Sequence, residues 1–254
     1  MVTATGTRFV VLTSQRSGSA WLISLLNSFE GTTAYSELFL DRTRDPAEDA
    51  WDSEFARPRF YESAADIPLV RPFSVFAYLD DVYSAPGTLG FKFMYSQLRK
   101  YPEVMIYLMR RRIRVIHLVR QNHLDVVISR ATKTITGEPH PVSGQPGNTA
   151  TIQVSLDIET LLNQLSKLRK QIKLVRQVLR WCQLPHIEVT YEALIKDPSQ
   201  FNSIWAFLAI EARGAEQPET NLVKIRKKRH SEVISNYNEV KRILTNTDFA
   251  ELLT

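Results

Sequence analysis

Six consecutive residues, Ser14 to Ser19, bring together three hydroxyl groups, a guanidinium and a glycine. The serine hydroxyls can donate hydrogen bonds to an anion, and Arg16 can neutralise part of its charge. The segment is not a Walker A motif, because that motif needs a second glycine and a lysine, and only Gly18 is present. The composition of this loop therefore predicts a binding site for a phosphate or a sulfate group.

The segments on either side of this loop have the patterns of a strand and a helix. Residues 9–12 are an apolar run with β-branched members, and an amphipathic helix opens at Trp21 and Leu22. The first N–H groups of a helix lack partners inside the helix, and the helix macrodipole adds to their attraction for an anion. A strand, a tight loop and a helix in this order turn the helix N-terminus into an anion site.

Three further charged residues are predicted at or near the ends of strands. Glu37 follows a strand at 32–35, and Arg120 follows the apolar strand 114–119. Ligands of parallel α/β sheets bind at the carboxyl ends of the strands, so we expect both residues to lie beside the Ser14–Ser19 loop. Lys92 lies within a predicted strand, and is either a pocket cation or an edge residue whose ammonium group reaches solvent.

The composition is that of an ordinary globular protein of 254 residues, with 44% apolar and 23% charged residues. No window approaches the roughly 20 apolar residues of a membrane span, and no signal-peptide pattern opens the sequence, so we expect a cytoplasmic protein. One cysteine and five scattered histidines predict neither an internal disulfide nor a metal site. The net charge of +5 is uneven, because residues 37–81 carry eleven acidic and five basic side chains, net −6, which leaves +11 on the rest. A basic body suits an anionic cofactor.

The order of predicted elements indicates one α/β domain over residues 1–254. Strands are predicted at 9–12, 32–35, 88–94, 114–119 and 186–190, and helices at 95–111, 121–133, 152–182, 198–210 and 238–253. This alternation predicts a central, mostly parallel five-stranded sheet flanked by helices. An acidic excursion at about 40–86 is expected to lay short helices over the edge of the sheet, and the Gly- and Pro-rich residues 136–148 are expected to form a mobile loop.

Two motifs resemble those of the sulfotransferases that use 3′-phosphoadenosine-5′-phosphosulfate (PAPS). The first is a basic residue, Ser-Gly-Ser and a nearby tryptophan, here Arg16, Ser17, Gly18, Ser19 and Trp21. The second is LVRQNHLDVVISR, in which Arg120 ends a buried strand and Ser129 lies in the following helix. Together with YSELF, GFKFMYSQL and EVTYEALIKDP, these motifs look most similar to the bacterial branch that includes the trehalose and nodulation-factor sulfotransferases.

The resemblance implies the P-loop-NTPase-like sulfotransferase fold, and sulfuryl transfer from PAPS without a metal. It implies that the 5′-phosphate of the donor is held by the residues Ser14, Gln15, Arg16, Ser17, Gly18, Ser19, Ala20 and Trp21. Arg16 would also stabilise charge on the bridging oxygen. Relatives often have lysine at this position, and arginine is a poorer proton donor. Arg120 and Ser129 would bind the 3′-phosphate, over which Lys224 and Arg226 would close. Trp21 is also a candidate core residue.

The acceptor hydroxyl must lose a proton as it attacks, so a base is expected beside the sulfate. The resemblance to the trehalose branch favours Glu37 for this role, with a purely structural carboxylate as the alternative. Many relatives use a histidine instead, which makes His123 the competitor. We expect Glu37, Lys92 and His123 to lie on the acceptor side of the site.

Two other functions stay open at this point. A nucleotide-dependent kinase or phosphotransferase shares the architecture but is disfavoured by the missing Walker lysine. A non-enzymatic polyanion-binding module would use the basic clusters at 110–114 and 224–230, but these lack the interleaved aromatic residues of nucleic acid binders, so we expect no nucleic acid partner. The expected acceptor is a small molecule, a glycan or a lipid head group, and the acidic excursion favours a neutral or cationic one. O- versus N-sulfation and homodimer formation are left open.

Overall fold

Five parallel strands form one sheet in the order β2-β3-β1-β4-β5. The strands are β1 (Arg8–Thr13), β2 (Thr32–Glu37), β3 (Thr88–Met94), β4 (Arg114–Val119) and β5 (His186–Thr190). The computed structural model describes residues 6–40, 57–64, 67, 69–136, 152–210 and 229–253. Strands β1, β3 and β4 are buried along almost their whole length, as continuous apolar runs require. The predicted α/β fold with a parallel five-stranded sheet is confirmed, and helices flank the sheet.

The register of the sheet decides which side chains meet at its carboxyl edge. Thr13, the last residue of β1, is level with Met94 of β3 and Leu118 of β4. Between β2 and β3 the register shifts after Tyr35, and this irregularity places Glu37 opposite Lys92. The end of β2 therefore presents its carboxylate to a charged neighbour on β3.

Eleven α-helices lie within the described residues. They are α1 (Ser19–Asn27), α2 (Phe60–Ser63), α3 (Phe73–Val82), α4 (Tyr95–Lys100), α5 (Pro102–Arg111), α6 (His123–Thr136), α7 (Ile158–Trp181), α8 (Tyr191–Lys196), α9 (Phe201–Leu208), α10 (His230–Val233) and α11 (Tyr237–Thr245). Short 3-10 helices occur at Pro198–Gln200 and Ala250–Leu253.

Two predicted helices have different bounds in the structure. The helix predicted at 95–111 is divided at Tyr101, because Pro102 disfavours helical backbone at the residue before it. The long helix α7 begins at 158 and not at 152. Val154 is instead extended and pairs with Ile234, and Asp157 caps the helix start through its carboxylate.

The chain divides into two compact units, each with its own core. The first unit comprises residues 1–119 and 176–220 and holds the sheet; its core includes Phe9, Val11, Leu22, Leu26, Ile116, Leu118, Ile204 and Leu208. The second unit comprises residues 120–175 and 221–254; its core includes Leu124, Ile128, Leu161, Leu165, Leu168, Val240 and Leu244. A single domain over residues 1–254 stays a prediction.

The described part of the acidic excursion contains the expected short helices, α2 and α3. They pack through an aromatic cluster around Phe39, whose ring centroid lies 5.0–5.9 Å from those of Phe60, Tyr78, Phe91, Phe93 and Tyr101. Phe39 comes two residues after Glu37, so this packing fixes the end of β2. Residues 41–56, 65, 66 and 68 lie outside the described residues.

Candidate functional site

The loop between β1 and α1 has left-handed backbone at two positions. Arg16 has a φ of 63° and Gly18 a φ of 85°. Glycine adopts this conformation freely, whereas it costs other residues about 1–2 kcal/mol. Besides the unfavourable φ, there is no space for a side chain at position 18, because a Cβ there would lie 2.2 Å from the ring of Tyr191. Tyr191, the first residue of α8, thus constrains the path of the loop, although sequence reasoning did not assign it to the site.

The loop leads into the N-terminus of α1. Gly18 is the N-cap and has no side chain with which to cap the helix, and the first turn contains no acidic residue. The first intrahelical bond runs from the N–H of Leu22 to the carbonyl of Gly18 at 3.2 Å, so the N–H groups of residues 19–21 precede the helical ladder. This is the arrangement that attracts an anion to a helix N-terminus.

Two hydroxyl groups bond to each other at the start of the loop. Thr13 Oγ1 lies 2.6 Å from Ser17 Oγ and 2.7 Å from the carbonyl oxygen of Leu118. Because a carbonyl oxygen only accepts, Thr13 donates its single proton to Leu118, and Ser17 donates its own proton to Thr13. Ser17 is fully buried. Its hydroxyl therefore fastens the loop to the sheet.

Burial distinguishes the remaining residues of the loop. Gln15 is exposed and Arg16 is partly exposed, whereas three residues are buried: Ser14, Ser19 and Ala20. Trp21 packs edge-on against Tyr191 and Phe201, with ring centroids 5.8 Å and 5.6 Å away. Trp21 thus has the packing role that the sequence allowed for it, next to the ring that abuts Gly18.

A buried ion pair joins the carboxyl ends of β2 and β3. Lys92 Nζ lies 3.2 Å from Glu37 Oε1, and Gln97 Nε2 donates to Glu37 Oε2 at 3.3 Å. The side chains of Lys92 and Glu37 are only 4% and 9% exposed. Lys92 is therefore a buried countercharge and not an edge residue that reaches solvent, and it offsets the cost of burying the Glu37 carboxylate. Two of the three residues predicted for the acceptor side are thus in contact.

A second polar network in the first unit was not indicated by the sequence. His117 is fully buried on β4; its Nε2 lies 2.6 Å from the Tyr95 hydroxyl and its Nδ1 3.0 Å from Glu188 Oε2. Arg176 donates to both carboxylate oxygens of Glu188 at 2.7 Å. The hydrogen bonds with His117 and then Arg176 lower the pKa of Glu188 to about 2 against the opposing effect of burial. Burial raises the pKa of the Tyr95 hydroxyl above its ordinary value.

In the second unit, Asp125 joins two basic residues. Arg120 Nη2 lies 2.8 Å from Asp125 Oδ2, and His230 Nε2 lies 3.0 Å from Asp125 Oδ1. Ser129 comes four residues after Asp125, so the two share one face of α6. Asn122 Oδ1 accepts from the N–H of Asp125 and so caps the helix. Arg120 and Ser129, which were predicted to act together, thus belong to one unit.

The other predicted site residues are less fully placed. His123 is the first residue of α6 and is partly exposed. Lys224 and Arg226 lie outside the described residues, as does most of the predicted mobile loop. Within the described ranges, no group of three or more His, Cys, Asp or Glu residues could hold a metal ion. No helix in those ranges is long and apolar enough to cross a membrane.

Comparisons with known proteins give similarities in structure alone. No family model matches the chain, and no curated protein matches its sequence. The sulfotransferase domain from the curacin biosynthetic pathway has 15% identity and a TM-score of 0.47, covering 98% of this chain and 83% of that one. A sulfotransferase from Alicyclobacillus acidocaldarius has 15% identity and a TM-score of 0.46, covering 86% of both chains. Mouse sulfotransferase SULT7A1 complexed with PAP has 14% identity and a TM-score of 0.43, covering 97% of this chain and 87% of that one.

Proposed function

We propose that this protein is a sulfotransferase, which moves a sulfuryl group from PAPS to a hydroxyl group of an acceptor. The observation that carries the proposal is the β1–α1 loop. In this loop Arg16, whose backbone is left-handed, comes just before the N-terminus of α1, where Gly18 is the N-cap. A cation next to backbone N–H groups favours an anionic ligand, and above all a leaving group that gains charge during the reaction. The resemblance of this loop to the motif of PAPS-dependent enzymes supports the 5′-phosphate of the nucleotide as that leaving group.

Each part of the loop has a separate role in this proposal. The N–H groups at the start of α1 and the hydroxyl of Ser19 hold the 5′-phosphate, with Ser14, Gln15, Ala20 and Trp21 completing the loop. Ser17 contributes its backbone N–H, since its hydroxyl proton is engaged by Thr13. Arg16 stabilises the negative charge on the bridging oxygen electrostatically, because a guanidinium rarely gives up its proton.

The reaction is an in-line displacement at sulfur. The acceptor oxygen forms a bond to sulfur while the bond from sulfur to the 5′-phosphate oxygen breaks, and the electron pair of that bond stays on the phosphate. The proton of the acceptor hydroxyl passes to the base. The products are the sulfated acceptor and 3′-phosphoadenosine-5′-phosphate (PAP), and no metal ion is needed for the atoms and charges to balance.

Glu37 is the proposed base. It stands at the carboxyl end of β2, and its ion pair with Lys92 keeps an ionised carboxylate buried at that edge of the sheet. Lys92 is proposed to serve the same side of the site by orienting the carboxylate. His123 stays the competing candidate.

The 3′-phosphate is assigned to Arg120 and Ser129 of the second unit. A guanidinium can grip a phosphate with two parallel hydrogen bonds, and Asp125 restrains the Arg120 side chain from one side. Lys224 and Arg226 are proposed to close over the nucleotide. A kinase is the weaker candidate, because the loop after β1 lacks the Walker lysine.

The finer features of the proposal come from the sequence. They are membership of the bacterial branch, a cytoplasmic location, and a neutral or cationic acceptor that is a small molecule, a glycan or a lipid head group. Transfer to nitrogen and assembly into a homodimer stay open within the proposal.

Thermal unfolding with nucleotides tests the donor assignment. PAP at 100 times its dissociation constant should stabilise the protein by about 2.7 kcal/mol, which raises Tm by roughly 5–10 °C at this size. The shift should persist in EDTA, and ATP should produce a much smaller one. Equal shifts from the two nucleotides, or a shift that requires magnesium, would contradict the proposal. Transfer of label from ³⁵S-PAPS to a panel of hydroxylated acceptors then tests the reaction itself.

A further inference from the structure

His230 has one ring nitrogen that makes no hydrogen bond to any of the described residues. The residue is only 5% exposed, and its Nε2 lies 3.0 Å from Asp125 Oδ1. Its Nδ1 is buried as well, and has no hydrogen-bond partner among the described residues. A buried polar atom without a partner is uncommon in folded proteins, because it loses its hydration without replacement. Such an atom in a basic cluster indicates a ligand contact.

The contact with Asp125 decides what Nδ1 can bind. An ionised carboxylate only accepts hydrogen bonds, so Nε2 carries a proton. When Nδ1 is protonated too, the ring is an imidazolium that donates from both nitrogens, one to Asp125 and one to another acceptor. An anion is the partner that favours this form, since it adds a second negative group beside the ring.

The surroundings of His230 in the second unit match a phosphomonoester. Arg120 is bound to the other oxygen of the same carboxylate, so Asp125 holds a guanidinium and an imidazole on its two sides. The hydroxyl of Ser129 lies on the same face of α6, one turn after Asp125. When the imidazole is charged, Arg120 and His230 carry two positive charges against the one negative charge of Asp125.

We propose that His230 is a further ligand of the 3′-phosphate, to which Nδ1–H donates a hydrogen bond alongside Arg120. This inference rests on the proposed function, because it takes the anion at Arg120 to be the 3′-phosphate of PAPS or PAP. In sequence, His230 directly follows the basic run at 224–229. The residue makes the enzyme selective for nucleotides that carry a 3′-phosphate.

Calorimetric titration with three nucleotides tests the proposal in the full-length protein. PAP carries both the 3′-phosphate and the 5′-phosphate. Adenosine 3′-phosphate carries only the phosphate that is assigned to Arg120 and Ser129, and adenosine 5′-phosphate carries only the phosphate that is assigned to the β1–α1 loop. The variant His230→Gln keeps an amide in reach of Asp125 but has no group at the position of Nδ1. Loss of one charge-assisted hydrogen bond should weaken binding of PAP and adenosine 3′-phosphate by about tenfold or more, and leave adenosine 5′-phosphate unchanged. His186→Gln, a change at the start of β5, is the matched control and should alter none of the three.

A nitrogen-resolved NMR spectrum of the unaltered protein gives a second readout that does not depend on the folding of a variant. The chain has five histidines, so the signal of His230 can be assigned by elimination, from single substitutions of the other four, without a variant at position 230. PAP and adenosine 3′-phosphate should shift its Nδ1 resonance to that of a protonated, hydrogen-bonded nitrogen, and adenosine 5′-phosphate should not.

The outcomes separate the two levels of the proposal. If the unaltered protein binds PAP no better than adenosine 5′-phosphate, the proposed donor site itself is wrong. If it prefers PAP while His230→Gln keeps the full preference and Nδ1 does not shift, the donor site stands and the role of His230 is overturned. Equal weakening of all three nucleotides in His230→Gln would also overturn it, since that result indicates a general structural role.

Discussion

The network of Tyr95, His117, Glu188 and Arg176 predicts a specific dependence of stability on pH. Glu188 accepts from the buried His117 ring and from the Arg176 guanidinium, and these bonds lower its pKa from 4.5 to about 2. A carboxyl group with a lowered pKa stabilises the folded state when it is ionised. Its contribution is therefore complete above about pH 4.5 and is lost as the pH falls toward 2.

The size of the contribution follows from the pKa and from solvent exposure. Each pKa unit corresponds to 1.36 kcal/mol of free energy between the two protonation states, so a pKa that falls from 4.5 to about 2 corresponds to roughly 3 kcal/mol of stabilisation of the folded state. The Glu188 side chain is 30% exposed, and solvent screens part of this interaction. We therefore expect Glu188→Gln to lower the free energy of unfolding by about 1–2 kcal/mol at pH 7. The difference from the unaltered protein should shrink toward zero near pH 2.5.

Urea unfolding between pH 7 and pH 2.5, followed by tryptophan fluorescence, measures this difference. All four tryptophans fall within the sequence ranges of the first unit, so the signal reports on the part of the chain that holds the network. Glu30→Gln, a change at an exposed carboxylate after α1, is the control and should leave the pH profile unaltered. If the free energies of unfolding of Glu188→Gln and the unaltered protein differed by the same amount at every pH in this range, the electrostatic reasoning would be refuted.

Two predictions concern the catalytic roles. Arg16→Gly should leave the free energy of unfolding unchanged or slightly higher, because glycine relieves the strain of the left-handed backbone. Its turnover should fall about 10²- to 10³-fold, as when an enzyme loses a hydrogen-bond donor to the transition state. A variant with normal turnover would remove Arg16 from the mechanism. Glu37→Gln should lower kcat by about 10²- to 10⁴-fold with PAP binding intact, and should destabilise the fold by leaving Lys92 as a buried charge. The double variant Glu37→Gln/Lys92→Met should recover stability but not turnover, and recovery of both would assign Glu37 a structural role only.

The sheet was predictable from the sequence because its strands are short apolar runs with clear limits. The strands at 88–94, 114–119 and 186–190 have the predicted bounds, since β-branched and aromatic residues fill them and turn residues or helices follow. Helix limits were less accurate, because they depend on local competition. The extended pairing of Val154 delays the start of α7, and Pro102 divides a continuous helical pattern.

The polar contacts could not be predicted from the sequence, for a different reason. The partners in the Tyr95–His117–Glu188–Arg176 network come from four separate elements, and only the register of the sheet brings His117 beside Glu188. The pairing of Glu37 with Lys92 likewise depends on a register shift in β2 that no local pattern reveals. Residue types and spacing could nominate Glu37 and Lys92, but they could not tell a buried countercharge from an exposed lysine.

The left-handed backbone of Arg16 differs in kind from the other examples in the chain. Four residues other than glycine have positive φ within the described ranges: Arg16, Arg112, Gln183 and Ala209. The last three follow the ends of α5, α7 and α9, where a left-handed residue lets the closing N–H groups bond to the final carbonyls of the helix. Arg16 instead lies between a strand and a helix N-terminus, so that compensation does not apply to it. The two residues that follow Arg16 are restrained, Ser17 by its hydrogen bond with Thr13 and Gly18 by the ring of Tyr191. Backbone strain of this kind concentrates at functional sites, and it agrees with the catalytic role that we propose for Arg16.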